Sequence, residues 1–291
     1  MAEQIDAIRR DFIEVGGVRS LVRQVSPPGA RDSREAVVFV HGNPGSGEDW
    51  VDLMARVGTF ARAVAPDMPA YGKADRPRSF DYTVEGYARH LGGVLEALHV
   101  DRVHLVLHDF GGPWGLTWAA GHPKAIASLT LFNVGILPGY RWHKFARLWR
   151  TPGVGELLQA ITTRQTFGAL LDRDNPRRFP RAFLDRMYGD VDAGTRRAIL
   201  KLYRATNDLG HMVDVVGRAL QPLHIPTLVL WGTEDAYLPV RYAGVQRQFF
   251  DVREIRLMKD CGHWPFIDDP EGAAEPVLRF LRERVGATAG P

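Results

Sequence analysis

The sequence predicts an α/β protein, a mostly parallel sheet flanked by helices and interrupted by one long helical insertion. Two observations carry this reading. Short apolar runs at Ala36–Val40, Val103–Leu107, Leu129–Phe132 and Pro226–Trp231 alternate with helical stretches. A run as uniformly apolar as Ala36–Val40 is what a strand covered on both faces requires, and strand–helix alternation implies a parallel sheet. The rhythm then breaks between Ile136 and Gln221, where aromatics and arginines are frequent and no buried strand is evident. Residues 1–135 and 222–291 are therefore assigned to the sheet-containing core and 136–221 to the insertion. A chain of 291 residues suits one such domain with an inserted lid.

Taken in order, Asp11–Val15 and Val18–Val25 read as strands joined at the Gly16-Gly17 turn. A loop at Ser26-Pro27-Pro28 leads to the Ala36–Val40 strand, which empties into His41-Gly42-Asn43-Pro44-Gly45. Asp49–Val57 reads as a short helix and Ala61–Ala65 as a strand running into Asp67–Asp75. Val84, Tyr87, Ala88, Leu91, Val94, Leu95 and Leu98 share one face of a helix. Within the insertion, Thr151-Pro152-Gly153 and Asp174-Asn175-Pro176 read as loops. Strands return at Pro226–Trp231 and Val252–Leu257, a helix over Glu271–Val285 closes the chain, and Gly286–Pro291 is expected to fray.

Composition narrows the function classes. At 45% hydrophobic and 24% charged residues, the chain resembles an ordinary soluble globular protein. A net charge of +3, with no basic stripe interleaved with aromatics, argues against nucleic acid as a partner. The insertion holds fifteen Lys/Arg against eight Asp/Glu. That excess reads as a solvated outer face, with attraction of anionic substrates as the alternative. Cys261 is the only cysteine, so no intrachain disulfide and no cysteine-rich metal site is expected, and it reads as small packing. The first residues lack a basic start and an apolar core of a signal peptide, and no apolar run reaches membrane-spanning length. A cytoplasmic monomer or homodimer is the expectation.

The chemistry centres on Val103–Gly115. Here an apolar run ends at Asp109, flanked by Gly111 and Gly112, and continues as a segment rich in glycine and alanine. This is a strand, a sharp turn and a helix, in which the turn residue stands beside the free N–H groups of the helix N-terminus. The elbow of this design is G-x-S-x-G. Asp109 takes the serine's place, Gly111 keeps one small position, and Leu107 occupies the other. An aspartate so placed can attack carbon and form an ester. A helix-capping Asp is the plainer alternative. Two downstream residues weigh against it: Asp235, after Leu230–Glu234, and His263, within Asp260–Phe266, each following a strand. Strand ends of an open α/β sheet share its carboxyl edge, so the three can meet there, with His263 as base and Asp235 orienting it.

His41-Gly42-Asn43-Pro44, Asp67–Gly72, His108–Gly112, Trp231–Asp235 and Gly262–Pro265 together resemble the α/β-hydrolase fold. More narrowly, they resemble its branch with an aspartate nucleophile, which contains epoxide hydrolases and haloalkane dehalogenases. The resemblance implies that 136–221 is a helical cap over the active site and that the N–H groups of Asn43 and Phe110 form an oxyanion hole. It implies a two-stage reaction on a small apolar substrate with an electrophilic carbon. Asp109 forms an alkyl ester, and water activated by His263 then hydrolyses it, with neither metal nor organic cofactor.

The two halves of the branch differ in what stabilises the leaving group. Epoxide hydrolases use cap tyrosines, and Tyr203, in a Tyr-Arg context about thirty residues before Asp235, matches one of them. A phenol can protonate an opening epoxide oxygen. The alternative is that Tyr203 merely packs on a cap helix. For the second donor Tyr140 stands early and Tyr188 late, and His143 or Trp149 occupies the region between. Dehalogenases hold halide with a tryptophan after the nucleophile or in the cap and an asparagine in the HGNP stretch. Asn43 fits, Phe110 lacks the N–H, and Trp142 or Trp149 offers partial compensation. Epoxide hydrolysis ranks first, dehalogenation second, and a ligand-binding homologue without turnover third.

Overall fold

The computed structural model describes residues 2–287. After a short helix α1 (Ala2–Asp6), strands β1 (Arg9–Val15) and β2 (Val18–Val25) form the expected hairpin. Strand β3 (Glu35–Val40), helix α2 (Val51–Val57) and strand β4 (Ala63–Pro66) follow. The helix expected from Asp49 starts two residues later, because Gly47–Trp50 is a separate 3₁₀ turn. Helix α3 (Val84–Ala97), strand β5 (Arg102–His108), helix α4 (Gly111–Gly121) and strand β6 (Ile126–Phe132) continue the alternation. Between β6 and the next strand run six helices and no strand: α5 (Lys144–Arg150), α6 (Val154–Ile161), α7 (Arg164–Arg173), α8 (Arg181–Gly189), α9 (Ala193–Ala205) and α10 (Leu209–Leu220). The chain re-enters the sheet with β7 (Pro226–Gly232), then α11 (Arg241–Val245), β8 (Asp251–Met258), α12 (Pro265–Asp268) and α13 (Pro270–Arg282).

The eight strands form one sheet in the order β1-β2-β4-β3-β5-β6-β7-β8. Only β2 runs against the others, pairing antiparallel with both β1 and β4. The central strands are apolar because they are covered twice. Val37 and Phe39 of β3 face one buried cluster while Val38 and Val40 face another. The predicted face of α3 is inward as well, with Val84, Tyr87, Leu91, Val94 and Leu95 buried. Its N-terminus is closed by Thr83, whose hydroxyl accepts the Gly86 N–H at 3.0 Å.

Two local expectations need correction. The closing helix ends at Arg282 rather than Val285. Of the tail expected to fray, residues 288–291 lie outside the described residues, whereas Gly286 and Ala287 are held against the sheet. The Gly286 N–H donates to Glu35 at 2.9 Å, and the Ala287 carbonyl accepts from Arg102 at 2.9 Å. Among the described residues no helix is long and apolar enough to cross a membrane. The parallel strands β5, β6, β7 and β8 all point their carboxyl ends at one edge, where Asp109, Asn133, Asp235 and His263 follow in turn.

Candidate active site

Asp109 sits between β5 and α4 with φ +49°, a left-handed conformation that costs a non-glycine residue energy and stands its side chain out of the turn. Phe110, not Asp109, caps the helix, so the plain capping reading does not describe Asp109. The unusual leucine of the elbow has a steric answer. A Cβ on Gly115 would stand 2.5 Å from Leu107 Cδ2, so the helix glycine makes the room that a small strand residue would otherwise provide. A Cβ on Gly111 would stand 2.2 Å from the Val40 carbonyl oxygen, which explains why that position is small.

The Asp109 carboxylate is held at both oxygens. Its Oδ1 accepts the Asn43 backbone N–H at 2.6 Å, and its Oδ2 lies 3.4 Å from His263 Nε2. On the far side of the imidazole, His263 Nδ1 donates to Asp235 Oδ2 at 2.7 Å. Asp235 is fixed by the N–H groups of Tyr237 at 2.7 Å and Leu238 at 2.9 Å. The Phe110 N–H, at the start of α4, has no protein acceptor among the described residues. The structure therefore brings together Asp109, His263, Asp235, Asn43 and Phe110.

Electrostatics follows from this burial. Burial alone disfavours the charged imidazole of His263, but the Asp235 carboxylate, with Asp109 behind it, outweighs burial and pushes the pKa up. Burial likewise disfavours ionised Asp109 and Asp235, and the His263 charge and the donors around each carboxylate pull both below the usual range. The imidazole and the two carboxylates thus each favour the other's charged form.

Two residues in this constellation escaped the sequence reading. Asn133, at φ +48° directly after β6, donates through Nδ2 to Asp235 Oδ2 at 2.6 Å and to the Gly262 carbonyl at 3.1 Å. Its Oδ1 accepts the Gly232 N–H at 3.0 Å, so one side chain ties three strand ends together. His108 Nε2 donates to the His263 carbonyl at 2.7 Å, and burial, aided by the His263 charge, lowers its pKa to about 3 and keeps it neutral. A polar residue directly after an apolar strand run was the available signal for Asn133.

A cavity of about 140 Å³ lies against the carboxyl edge, lined by Asp109 and His263 below and by residues of α5 to α9 above. Tyr203, buried, takes the Asn43 Nδ2 hydrogen at 3.2 Å. Its ring meets those of Phe110, Trp149 and Trp142 at 5.0, 5.0 and 5.2 Å. Tyr140, His143, Trp149 and Tyr188 line the same cavity. The Tyr140 hydroxyl is engaged, donating to the Tyr237 carbonyl at 3.4 Å, and Tyr188 donates to the Thr162 carbonyl at 3.4 Å. His143 caps α5 through Nδ1, which accepts the Ala146 N–H at 3.4 Å and so leaves the hydrogen on Nε2. Burial lowers the His143 pKa to about 4. The Trp142 indole N–H is buried without a partner among the described residues. No cluster of three or more His, Cys, Asp or Glu groups suited to a metal ion occurs among the described residues.

This sheet order, with a strand–turn–helix elbow at β5 and an acid and a histidine after β7 and β8, defines an α/β-hydrolase fold. A sequence model of the alpha/beta hydrolase fold family matches residues 35–270, and the chain belongs to that family. It is 26% identical over 251 residues to a 2-hydroxy-6-oxo-2,4-heptadienoate hydrolase from Pseudomonas putida, covering 84% of this chain and 88% of that one. Among solved structures it is similar to the haloalkane dehalogenase DatA from Agrobacterium tumefaciens C58, with a TM-score of 0.81, 20% identity and coverage of 96% and 99% of the two chains. It is also similar to the epoxide hydrolase VrEH1 from Vigna radiata, with a TM-score of 0.79, 17% identity and coverage of 96% and 98%. At these identities the likeness is one of fold.

Proposed function

We propose that the chain is an epoxide hydrolase acting through a covalent ester on Asp109, with α5 to α9 as a cap over the site and α10 returning the chain to the core. The observation that carries this is the Asp109 carboxylate itself, standing on a strained elbow, where a serine would serve acyl transfer. One oxygen is held by the Asn43 N–H and the other faces His263 and the cavity. Asp109 Oδ2 attacks an epoxide carbon, the carbon–oxygen bond breaks, and the Tyr203 hydroxyl gives its proton to the departing oxygen. The Tyr203 proton is available because the phenol oxygen accepts from Asn43 Nδ2 and donates to no protein group among the described residues. His143 Nε2–H is the second donor assigned to the ring oxygen.

Neutral His263 then takes a proton from water, and the hydroxide adds to the ester carbonyl carbon. The oxyanion forms on Oδ1, against the N–H groups of Asn43 and Phe110. Collapse breaks the bond between the carbonyl carbon and the alkylated oxygen, the departing alkoxide takes the proton of the new carboxyl group, and a vicinal diol leaves with the water oxygen retained in the Asp109 carboxylate. A His263→Gln variant should accumulate the ester, seen as a substrate-sized adduct on Asp109 by intact mass and peptide mapping. Turnover in heavy-oxygen water should label Asp109. Failure of His263→Gln to form an adduct with any epoxide or haloalkane would sink the covalent mechanism.

A second reading, haloalkane dehalogenation, is favoured by one observation. Trp142, whose indole N–H has no partner among the described residues, and Asn43 both line the cavity, and an indole and an amide are the kinds of donor a halide needs. It ranks second because a halide leaves without a proton, which gives the Tyr203 hydroxyl no task.

A further inference from the structure

Apart from the His263 imidazole beside Asp109, the His143 imidazole and the tyrosines, the described lining of the cavity carries two ionisable side chains. Asp109 is the sole carboxylate in its lining and Arg196 the sole Lys or Arg. Arginine is abundant on these helices; Arg150, outside the cavity lining, donates to backbone carbonyls, while several others meet an acid. Arg164 pairs with Asp185, Arg186 with Asp49 and Arg204 with Glu156. The Arg196 guanidinium donates instead to two backbone carbonyls, of Gln159 and Thr162 at the end of α6. Among the described residues no carboxylate pairs with it. A guanidinium carries five N–H groups in a planar fork, so donors remain for a ligand.

Its place on α9 sets the geometry. Arg196, Ile199 and Tyr203 all line the cavity and are spaced as one helical face. Seven residues at 1.5 Å each put Arg196 about 10.5 Å along the helix axis from Tyr203. Tyr203 stands over the nucleophile, linked to it through Asn43. Apolar residues, including Ile199, Val191 and Leu158, line the same cavity, with Gln159 and Thr162 as polar neighbours.

We infer that Arg196 is a substrate-anchoring residue and that the substrate is an elongated electrophile carrying a carboxylate at the end remote from its reactive carbon. The carboxylate takes the N–H groups that the two carbonyls leave free, beside the Tyr188 ring over which the guanidinium stands at 5.9 Å, the apolar chain lies along Ile199, and the electrophilic carbon reaches Asp109. An anion at the near end would be repelled by Asp109, so the cavity also sets the direction of entry. This inference rests on the proposed function for the chemistry at Asp109, but not for the anion site.

Binding without chemistry separates the two. Straight-chain alkanoates of graded length and their methyl esters can be titrated by the fluorescence of Trp142 and Trp149, which line the cavity. The wild-type protein should prefer the alkanoate by about 10- to 100-fold, the range for a hydrogen bond between charged groups. The preference should peak at the chain length that spans Arg196 to Asp109. Arg196→Gln should abolish it and Arg196→Lys should keep part of it. With ω-epoxy alkanoates, Arg196→Gln should raise KM by a similar factor at nearly unchanged kcat, and by about 10-fold or more beyond any change it causes with neutral terminal epoxides.

Arg196 also closes the end of α6, so its loss can weaken the fold. The wild-type preference and the Lys variant are independent of that loss. Equal binding of alkanoate and ester by the wild type, or a preference surviving in Arg196→Gln, would overturn the anchor even if neutral epoxides are hydrolysed. An intact preference in a protein that opens no epoxide would leave the anchor standing and overturn the proposed function.

Discussion

Replacing Tyr203 by phenylalanine isolates one hydroxyl. The ring should stay, because its contacts with Phe110, Trp142 and Trp149 at 5.0 to 5.2 Å involve carbon atoms. The lost oxygen is the acceptor for Asn43 Nδ2, whose Oδ1 is already without a partner, so the structural cost is an unpaired amide worth about 1–3 kcal/mol of stability. The kinetic cost is larger. Burial first, and then the Asp109 charge, hold the phenol pKa well above its ordinary value, so the proton is in place at every working pH. A positioned general acid contributes about 10²- to 10⁴-fold, or about 2.7–5.4 kcal/mol of barrier. Single-turnover alkylation by a terminal epoxide should slow toward that range, softened by whatever His143 supplies. Alkylation by a bromoalkane should hardly change. Epoxide alkylation by Tyr203→Phe within about twofold of wild type would reduce Tyr203 to packing and remove the main support for the epoxide reading.

Two further predictions concern the fold that holds the site. Gly115→Ala places a Cβ 2.5 Å from Leu107 Cδ2 and should cost about 1–3 kcal/mol by overpacking; Leu107→Ala alone should cost about 2–5 kcal/mol. Because each relieves the other, the double variant should be more stable than additivity allows by about 1 kcal/mol in urea unfolding, and strict additivity would refute the compensation. His90, within 2.8 Å of Ser20 Oγ, is held neutral by burial with its pKa lowered to about 4. The unfolded chain, with a histidine pKa of about 6.5, takes the proton first, so this contribution is complete above about 6.5 and declines as pH falls toward about 4, by about 1.4 kcal/mol per pH unit. His41, His108 and His143, also lowered by burial, act in the same direction. His90→Gln should reduce the proton uptake on unfolding by about one in that window without abolishing the slope. An unchanged pH dependence of Tm would show that His90 protonates as readily folded as unfolded.

Much of the fold was legible because the sheet writes itself in doubly covered apolar runs. Ala36–Val40 and Pro226–Trp231 could hardly be anything else, and each ends in the loop that carries Asn43 or Asp235. Asp109 was legible for a different reason, a strand and a glycine-rich helix on either side of it. Asn133 was not, because its importance lies in three partners far away in sequence, none of which changes the local pattern. The leucine at position 107 looked like a defect in the elbow. Its compensation sits eight residues on, at Gly115, where only packing reveals the pair. The basic insertion was read as a solvated face, and the ion pairs of Arg164 and Arg204 fit that. Arg196 departs from it, since composition cannot say which arginine turns inward.

The charges of the site also fit a single proton inventory for the proposed reaction. In this inventory Asp109 starts ionised, His263 protonated between two carboxylates and Tyr203 with its proton, the forms that their surroundings favour. Ring opening consumes the Asp109 charge in the ester and leaves a phenolate at Tyr203. With Asp109 neutral, one of the two carboxylates that raised His263 is gone, so its imidazolium becomes more acidic as the phenolate beside it becomes the stronger base. In the proposed cycle the proton then passes from His263 to Tyr203. That restores the phenol and yields the neutral imidazole the second stage requires. When the ester is split, Asp109 regains its charge and His263 is raised again, ready for the next epoxide. In the proposed reaction the carboxylate that attacks carbon thus also sets when its neighbour is an acid and when it is a base. Asp235, held by Asn133, Tyr237 and Leu238 throughout, keeps the ring oriented while the charge on the other side changes.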